Sequence, residues 1–509
     1  MKRVVSLLAS GAAACISLAS AQEMHSHPPP ERLGTVAFAT SCAPGVTRGF
    51  ERAVALLHSF AYDASEKAFR DVAAADPSCA MAHWGSAMTY WHQLWSPPDA
   101  DDSSKGRAEI ARALELNVRS ERERGFIAAA AAYYRDSDHL PQLVRAKAYE
   151  QQMSLTARSN PKDTEAQVFY ALSLLATAST EDRSHANQKH AAAILEPIYR
   201  DHPDHPGVAH YLIHAYDSAE LAQRGLSAAR AYSKIAPSAP HALHMPSHIF
   251  TRLGLWDDSI ASNAAARAAA HSQGDVGEEL HAMDYLTYAY LQRGRQGDAQ
   301  QVVADLASMD RLLGKDFKVG YAATVMPVRV SIEGHKWDAA AALQPLPEST
   351  PNIAAIVFWA RAVANARNGH PQAANDDIAQ LQRCQQQLQL AGNAYWAKQT
   401  EVLGKEAIAW QLAASARVDE AIKVLRQAAD EEDAVEKLPL TPGPIVPARE
   451  QLGDLLLTLN RPQQALQEYQ AALGGAPGRR GALTGVVQAA DLVGDVQLAS
   501  RMRATLLSE

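Results

Sequence analysis

Residues 205–290 read HPGVAHYLIHAYDSAELAQRGLSAARAYSKIAPSAPHALHMPSHIFTRLGLWDDSIASNAAARAAAHSQGDVGEELHAMDYLTYAY. His210 and His214 are four apart, and so are His244 and His248, one 34-residue step later. A further 40 residues on, His281 answers His241, and Asp284 and Tyr288 take the places of His244 and His248. A repeat of that length with helical spacing inside each unit indicates a stacked array of helical hairpins. The imidazoles should recur in register on one face.

Composition agrees. The chain has 509 residues, is rich in Ala with only 6% aromatics, and carries no sustained alternation of apolar and polar residues. All-α structure is the expectation. A formal charge of −8 and the lack of a basic stripe with interleaved aromatics argue against nucleic acid.

Working outward, the segment ERAVALLHSFAYDASEKAFRDVAAADPSCAMAHWG places Tyr62, Phe69 and Ala73 at helical spacing before Asp76-Pro77, then Trp84-Gly85 in a second helix. Near the other end, EQLGDLLLTLNRPQQALQEYQAALGGAP sets Leu452-Gly453, Ala465, Tyr469, Ala472 and Pro477 in the same pattern. Small and aromatic residues at fixed places, with Pro ending each pair, resemble the tetratricopeptide repeat (TPR). The resemblance is firm over 47–95, 206–310 and 448–507 and looser between. It implies a right-handed solenoid whose first helices line a concave groove. The wording also resembles a group of exported bacterial TPR proteins, which supplies fold and compartment but no chemistry.

The division expected is a signal peptide (1–21), an extended arm (22–46), N-terminal hairpins (47–200), central repeats (201–345), further hairpins (346–437), and a Pro-rich connector with the final repeat and capping hairpin (438–509). Lys2 and Arg3, the apolar run Val4 to Leu18 and the small residues Ala19-Ser20-Ala21 form an export signal cleaved after Ala21. A lipoprotein site at Cys15 is the less favoured alternative. Export, with a periplasmic destination, is the expectation, and no later apolar run reaches transmembrane length. Of the remaining cysteines, Cys42 and Cys79 are the candidate disulfide and Cys384 the odd one out; three free thiols is the alternative. The arm, with its triple proline, should be weakly ordered, and its His25 and His27 a casual pair. Ser96 to Ser104 reads as a loop, Asp163 or Thr164 as a helix N-cap, and Glu121-Arg122-Glu123-Arg124 as a solvated helix start. His83, Trp84, Trp91, His92 and Trp95 read as hairpin core.

Nine of the nineteen histidines lie between His185 and His248. Residues four apart share a helix face, roughly 5–6 Å between Cβ atoms, and packed helices lie roughly 8–10 Å apart. Neighbouring His pairs can therefore meet at one ion. Aligned on the repeat, the groove face carries Gly207, His210 and His214, then His241, His244 and His248, then His281, Asp284 and Tyr288. Leu212, Ala215, Leu286 and Ala289 are the apolar, inward positions. The next unit carries Val325 and Arg329, and the cluster ends. Pro246 should kink the helix between His244 and His248.

Imidazole with a carboxylate suits Zn, Cu, Ni or Fe. The candidate metal ligands are His210, His214, His241, His244, His248, His281 and Asp284, with Asp217, Tyr288 and Arg329 along the groove. Two readings stand side by side: a transition-metal site, or a metal-free groove that holds an extended peptide or protein partner, its histidines giving pH-dependent contacts. Water activation at a three-His site, assisted by Asp217, Asp284 or Tyr288, is a third and weaker one. No HExxH motif, nucleophile elbow or phosphate loop supports an enzyme. Oligomeric state has no signature in the sequence.

Overall fold

Helices follow one another as antiparallel hairpins from Thr47 onward in a computed structural model, which describes residues 31–508 except 95–97 and 311. Among the described residues every extended element is an α-helix or a short 3-10 turn. The architecture is an all-α solenoid of hairpins, and Arg32–Glu509 forms one unit. The export signal, the triple proline, His25, His27 and Trp95 lie outside the described residues. No described helix is long and apolar enough to cross a membrane.

Each hairpin closes because a small residue faces an aromatic one. A Cβ on Gly85 would overlap the Phe69 ring, and one on Gly453 would come within 2.7 Å of Tyr469. Trading a side chain for close approach lets the aromatic fill the interhelical space at interior density. Polar side chains open the helices. Asp163 accepts from the Ala166 N–H at 2.9 Å, and Asp275 from Glu278 N–H at 2.9 Å, satisfying donors the helix leaves free.

Consecutive helices pack against each other along the chain, but two contacts cross that order. Thr47–His58 also packs on Pro206–Tyr216, and Val276–Gln292 on Arg480–Val493. The array therefore folds onto its own histidine face.

Several local expectations are corrected. The arm from Arg32 is docked, not loose. Leu33, Val36 and Phe38 are buried, Phe38 among Phe50, Trp84 and Phe126. Thr35 N–H donates to Asp204 O at 3.0 Å and Arg32 N–H to Ser238 Oγ at 2.8 Å. Glu123, expected in solvent, is buried and accepts from the Ser41 amide and hydroxyl, while Arg122 pairs with Asp163 and covers the Phe38 ring. The loop after Ser96 ends early, because Asp99 accepts from Asp102 N–H and starts a helix at Ala100. Cys42 and Cys79 are joined as a disulfide, and Cys384 is free and buried.

Candidate metal centre

Three helices carry the histidines: Pro206–Tyr216, the pair Pro240–His244 and Pro246–Arg252, and Val276–Gln292. Pro246, lacking an N–H, divides the second at Met245 and so sits between His244 and His248. Their side chains gather into two trios, His210 with His214 and His241, and His244 with His248 and His281; within each, one nitrogen per ring lies within 4.8 Å of the others.

All six rings are buried, the most open being His214 at 9%. This overturns the open groove expected from the sequence. Two segments cover the face. The turn after Thr47–His58 lays Phe60 on the first trio, its ring 4.4 Å from that of His210 and 5.5 Å from that of His241. On the second side the connector brings Lys437 Nζ to 2.9 Å from Asp217 Oδ2 and Glu436 to 2.5 Å from Arg252. Tyr285 closes the second trio, 4.7 Å from His244 and 4.9 Å from His248, ring to ring.

The outer nitrogens fix the tautomers. His210 Nδ1 donates to the backbone carbonyl of His58 at 2.6 Å, and His241 Nδ1 to Glu278 at 3.2 Å. His244 Nδ1 donates to Asn263 Oδ1 at 2.7 Å; the Asn263 amide nitrogen donates to Ser259 O at 2.8 Å, which sets its orientation. His248 Nδ1 donates to Asp217 Oδ2 at 2.9 Å. Carbonyls and carboxylates only accept, so in four neutral rings Nε2 carries a lone pair. Yet His244 Nε2 is 3.0 Å from His248 Nε2, and His210 Nε2 is 3.2 Å from His241 Nε2. Lone pair faces lone pair at hydrogen-bond distance. His214 Nε2, 3.1 Å from His210 Nε2, can supply a proton to His210.

A proton or a cation shared between the facing nitrogens would relieve these contacts. Burial disfavours the proton: it drives His210, His214, His244 and His281 well below the ordinary imidazole range, their histidine neighbours adding to it, and takes His248 down to about 4 despite the help of Asp217. A metal fits. Two imidazole nitrogens at roughly 2.0–2.1 Å from one tetrahedral ion would be about 3.3 Å apart, close to the spacings found. The outer contacts to carbonyl, amide and carboxylate are those that orient metal-binding histidines.

A neighbouring cluster supplies the contrast. His58, Glu165 and His205 also converge, but every nitrogen there has a complementary partner. His58 Nε2 and His205 Nε2 each donate to Glu165 at 2.9 Å; Tyr211 donates to His58 Nδ1 at 2.9 Å and Val208 N–H to His205 Nδ1 at 3.3 Å. That group is satisfied as it stands and serves to position His210. Gly207 belongs to the same contact, since a Cβ there would lie 2.5 Å from His58 Nδ1.

The remaining sequence candidates separate. Asp217 sits beside the second trio, held ionised against the cost of burial by Lys437 and Arg252, each at 2.9 Å. Asp284 does not join the histidines. It pairs with Arg329 at 3.1 Å, and its other oxygen is buried without a partner. Arg329, expected to face the groove, is fully buried and donates to Gly443 O, Pro444 O and Thr441 Oγ1 at 2.9–3.1 Å. Tyr288 accepts from Arg479 at 3.3 Å, and Arg479 also holds Ile445 O at 3.1 Å. These residues clamp the connector. Trp84 and Trp91 are buried in the aromatic core, while His83 pairs with Glu109 at 2.6 Å. Sequence reasoning missed His58, Phe60, Asn263, Glu278 and Lys437. Only Glu278, one turn before His281, left a trace.

No family model matches the chain, and no curated protein matches it either. Among solved structures it is similar to human IFIT1 in a dimer with PPP-AAAA, at 9% identity over 84% of this chain and 90% of that one, TM-score 0.36. It is also similar to the Cut9–Hcn1 hetero-tetramer of the APC/C, at 12% identity over 87% of this chain and 76% of that one, TM-score 0.36. At that depth of likeness the chain's own geometry carries the argument.

Proposed function

We propose that the protein binds transition-metal ions, from the group Zn, Cu, Ni and Fe, through His210, His214, His241, His244, His248 and His281. The observation behind this reading is the 3.0 Å contact between His244 Nε2 and His248 Nε2, with both Nδ1 atoms already committed as donors. Asp217 and Glu278 act from outside, orienting His248 and His241. Asp284 leaves the ligand set.

Catalysis by water activation loses its expected helpers, because Asp284 and Tyr288 are engaged at the connector and Asp217 is held by two cations. Stacked hairpins present extended surfaces with which such proteins hold partners. A protein or peptide partner would use surfaces other than the buried histidines. The amino-terminal signal supports export to the periplasm, where such a site would meet metal outside the cytosolic buffers.

Elemental analysis of the untagged full chain from metal-replete cells tests the reading. Near-stoichiometric metal that is lost in the His210→Ala/His244→Ala variant is the expected result. A chain that stays metal-free after reconstitution with each of the four metals would overturn it.

A further inference from the structure

The two trios adjoin. The His214 and His248 rings, from different trios, have centroids 5.9 Å apart, and so do His241 and His244. Two ions bound there would be immediate neighbours. The donors are imidazoles alone, since both nearby carboxylates stand one bond further out.

Charge then discriminates between metals. Asp217 is matched by Arg252 and Lys437; Arg252 also pairs with Glu436, which Arg183 holds from its other oxygen; Glu278 is matched by Lys318. Each of these carboxylates is matched by a cation, so none of them offers spare negative charge to the trios; Glu165, behind His58, is the one buried carboxylate nearby whose partners are histidines alone. Two divalent ions on six neutral ligands would place four uncompensated charges in a buried site, where unpaired charge is most costly. Two monovalent ions halve that charge. Among imidazole-binding metals, copper has an accessible monovalent state, and cuprous ion accepts three nitrogen ligands.

We propose, resting on the metal-binding reading above, that the trios hold a pair of cuprous ions which together bind one molecule of dioxygen. Each copper gives up one electron and becomes cupric; dioxygen takes both, loses its O–O π bond, and bridges the pair as peroxide through new Cu–O bonds. No proton or other reductant is consumed. The centre carries two positive charges before the step and two after it, so oxygenation adds no buried charge. A cleft of about 160 Å³ with a mixed lining, Leu94 and Leu438 beside Thr180 and Gln188, reaches His214 and Asp217 and is wide enough to admit dioxygen. Phe60 packs on the first trio and Tyr285 on the second.

The test is anaerobic loading of the full chain with cuprous ion, followed by titration with dioxygen. Two coppers per chain, uptake of one dioxygen per pair, a peroxide-to-copper charge-transfer band and no cupric EPR signal are expected. His281→Ala should remove one copper and abolish oxygen uptake. Copper retained in the His210 trio, with an unchanged far-UV spectrum, shows that this variant still folds. If it does not fold, His281→Gln replaces it with the same expected readouts. A single metal per chain, a pair of zinc ions that copper cannot replace, or a copper pair without oxygen uptake overturns this proposal while leaving the metal site standing. A chain that retains no metal of any kind overturns both.

Discussion

The backbone carbonyl of His58 accepts a hydrogen bond from Nδ1 of His210 at 2.6 Å, across 152 residues of sequence. The end of the first helix thus sets the tautomer of a ring in the ninth, and the residue two places on, Phe60, covers that ring. Phe60 adopts φ 53°, a left-handed conformation uncommon for a bulky residue. Phe60→Ala should cost about 3–5 kcal/mol through the cavity it leaves and speed chelator extraction of metal from the first trio. Urea unfolding and extraction kinetics check the two effects separately; unchanged kinetics would mean Phe60 is packing alone.

Asp217 serves three partners at once. Asp217→Asn should weaken metal binding about 10–100-fold through its link to His248. It should also destabilise the fold by about 3–5 kcal/mol by stranding the buried Lys437, while Arg252 keeps Glu436. Competition against a chromophoric chelator reads the first and denaturant unfolding of the metal-free chain the second.

Glu406 and Glu432 make stability depend on pH. Burial raises Glu432 to about 7 and Glu406 well above its usual range, each despite hydrogen bonds that pull it down. The folded state therefore holds protons that the unfolded chain releases near 4.5. Their contribution is full below that pH and declines as pH rises, that of Glu432 being spent by about 7, at about 1.4 kcal/mol per unit for each group titrating. The buried histidines, whose affinity for protons is lowered, act the opposite way below about 6.5 in parent and variant alike, so the difference is the readout: from pH 4.5 to 7.5 the urea midpoint of the parent chain should lose ground against that of Glu406→Gln.

Arg329 fastens the connector to the helix that carries Asp284. Arg329→Met should cost about 3–5 kcal/mol, since Asp284 loses its buried partner, and should expose 438–447 to limited proteolysis. Cleavage confined to that segment, with the hairpins intact, is the expected pattern. Protection equal to the parent chain would assign the hold to Arg479 instead.

What the sequence made legible was whatever repeats. Steps of 34 and then 40 residues located the three helices that bring six histidines together, and the Gly–aromatic exchange at Gly85 and Gly453 foretold the hairpins. The period carries no information about what lies over the repeated face. Phe60 and Lys437 reach the histidines from far along the chain, so the face read as an open groove is an interior. Arg329 and Tyr288 were placed on the right face but given the wrong partner, because the connector they bind has no periodicity of its own. Asn263 sits on the outer helix of its hairpin, where an uncharged polar residue ordinarily signals nothing.

Lys437 follows Asp217 by 220 residues. During synthesis all six histidines leave the ribosome long before the segment that seals them exists. A chain in mid-translation, or one unthreaded for passage through a membrane, presents its imidazoles bare. On the metal-binding reading proposed above, an ion could enter most freely in that interval, and loading of the finished molecule would wait on how often the connector lets go.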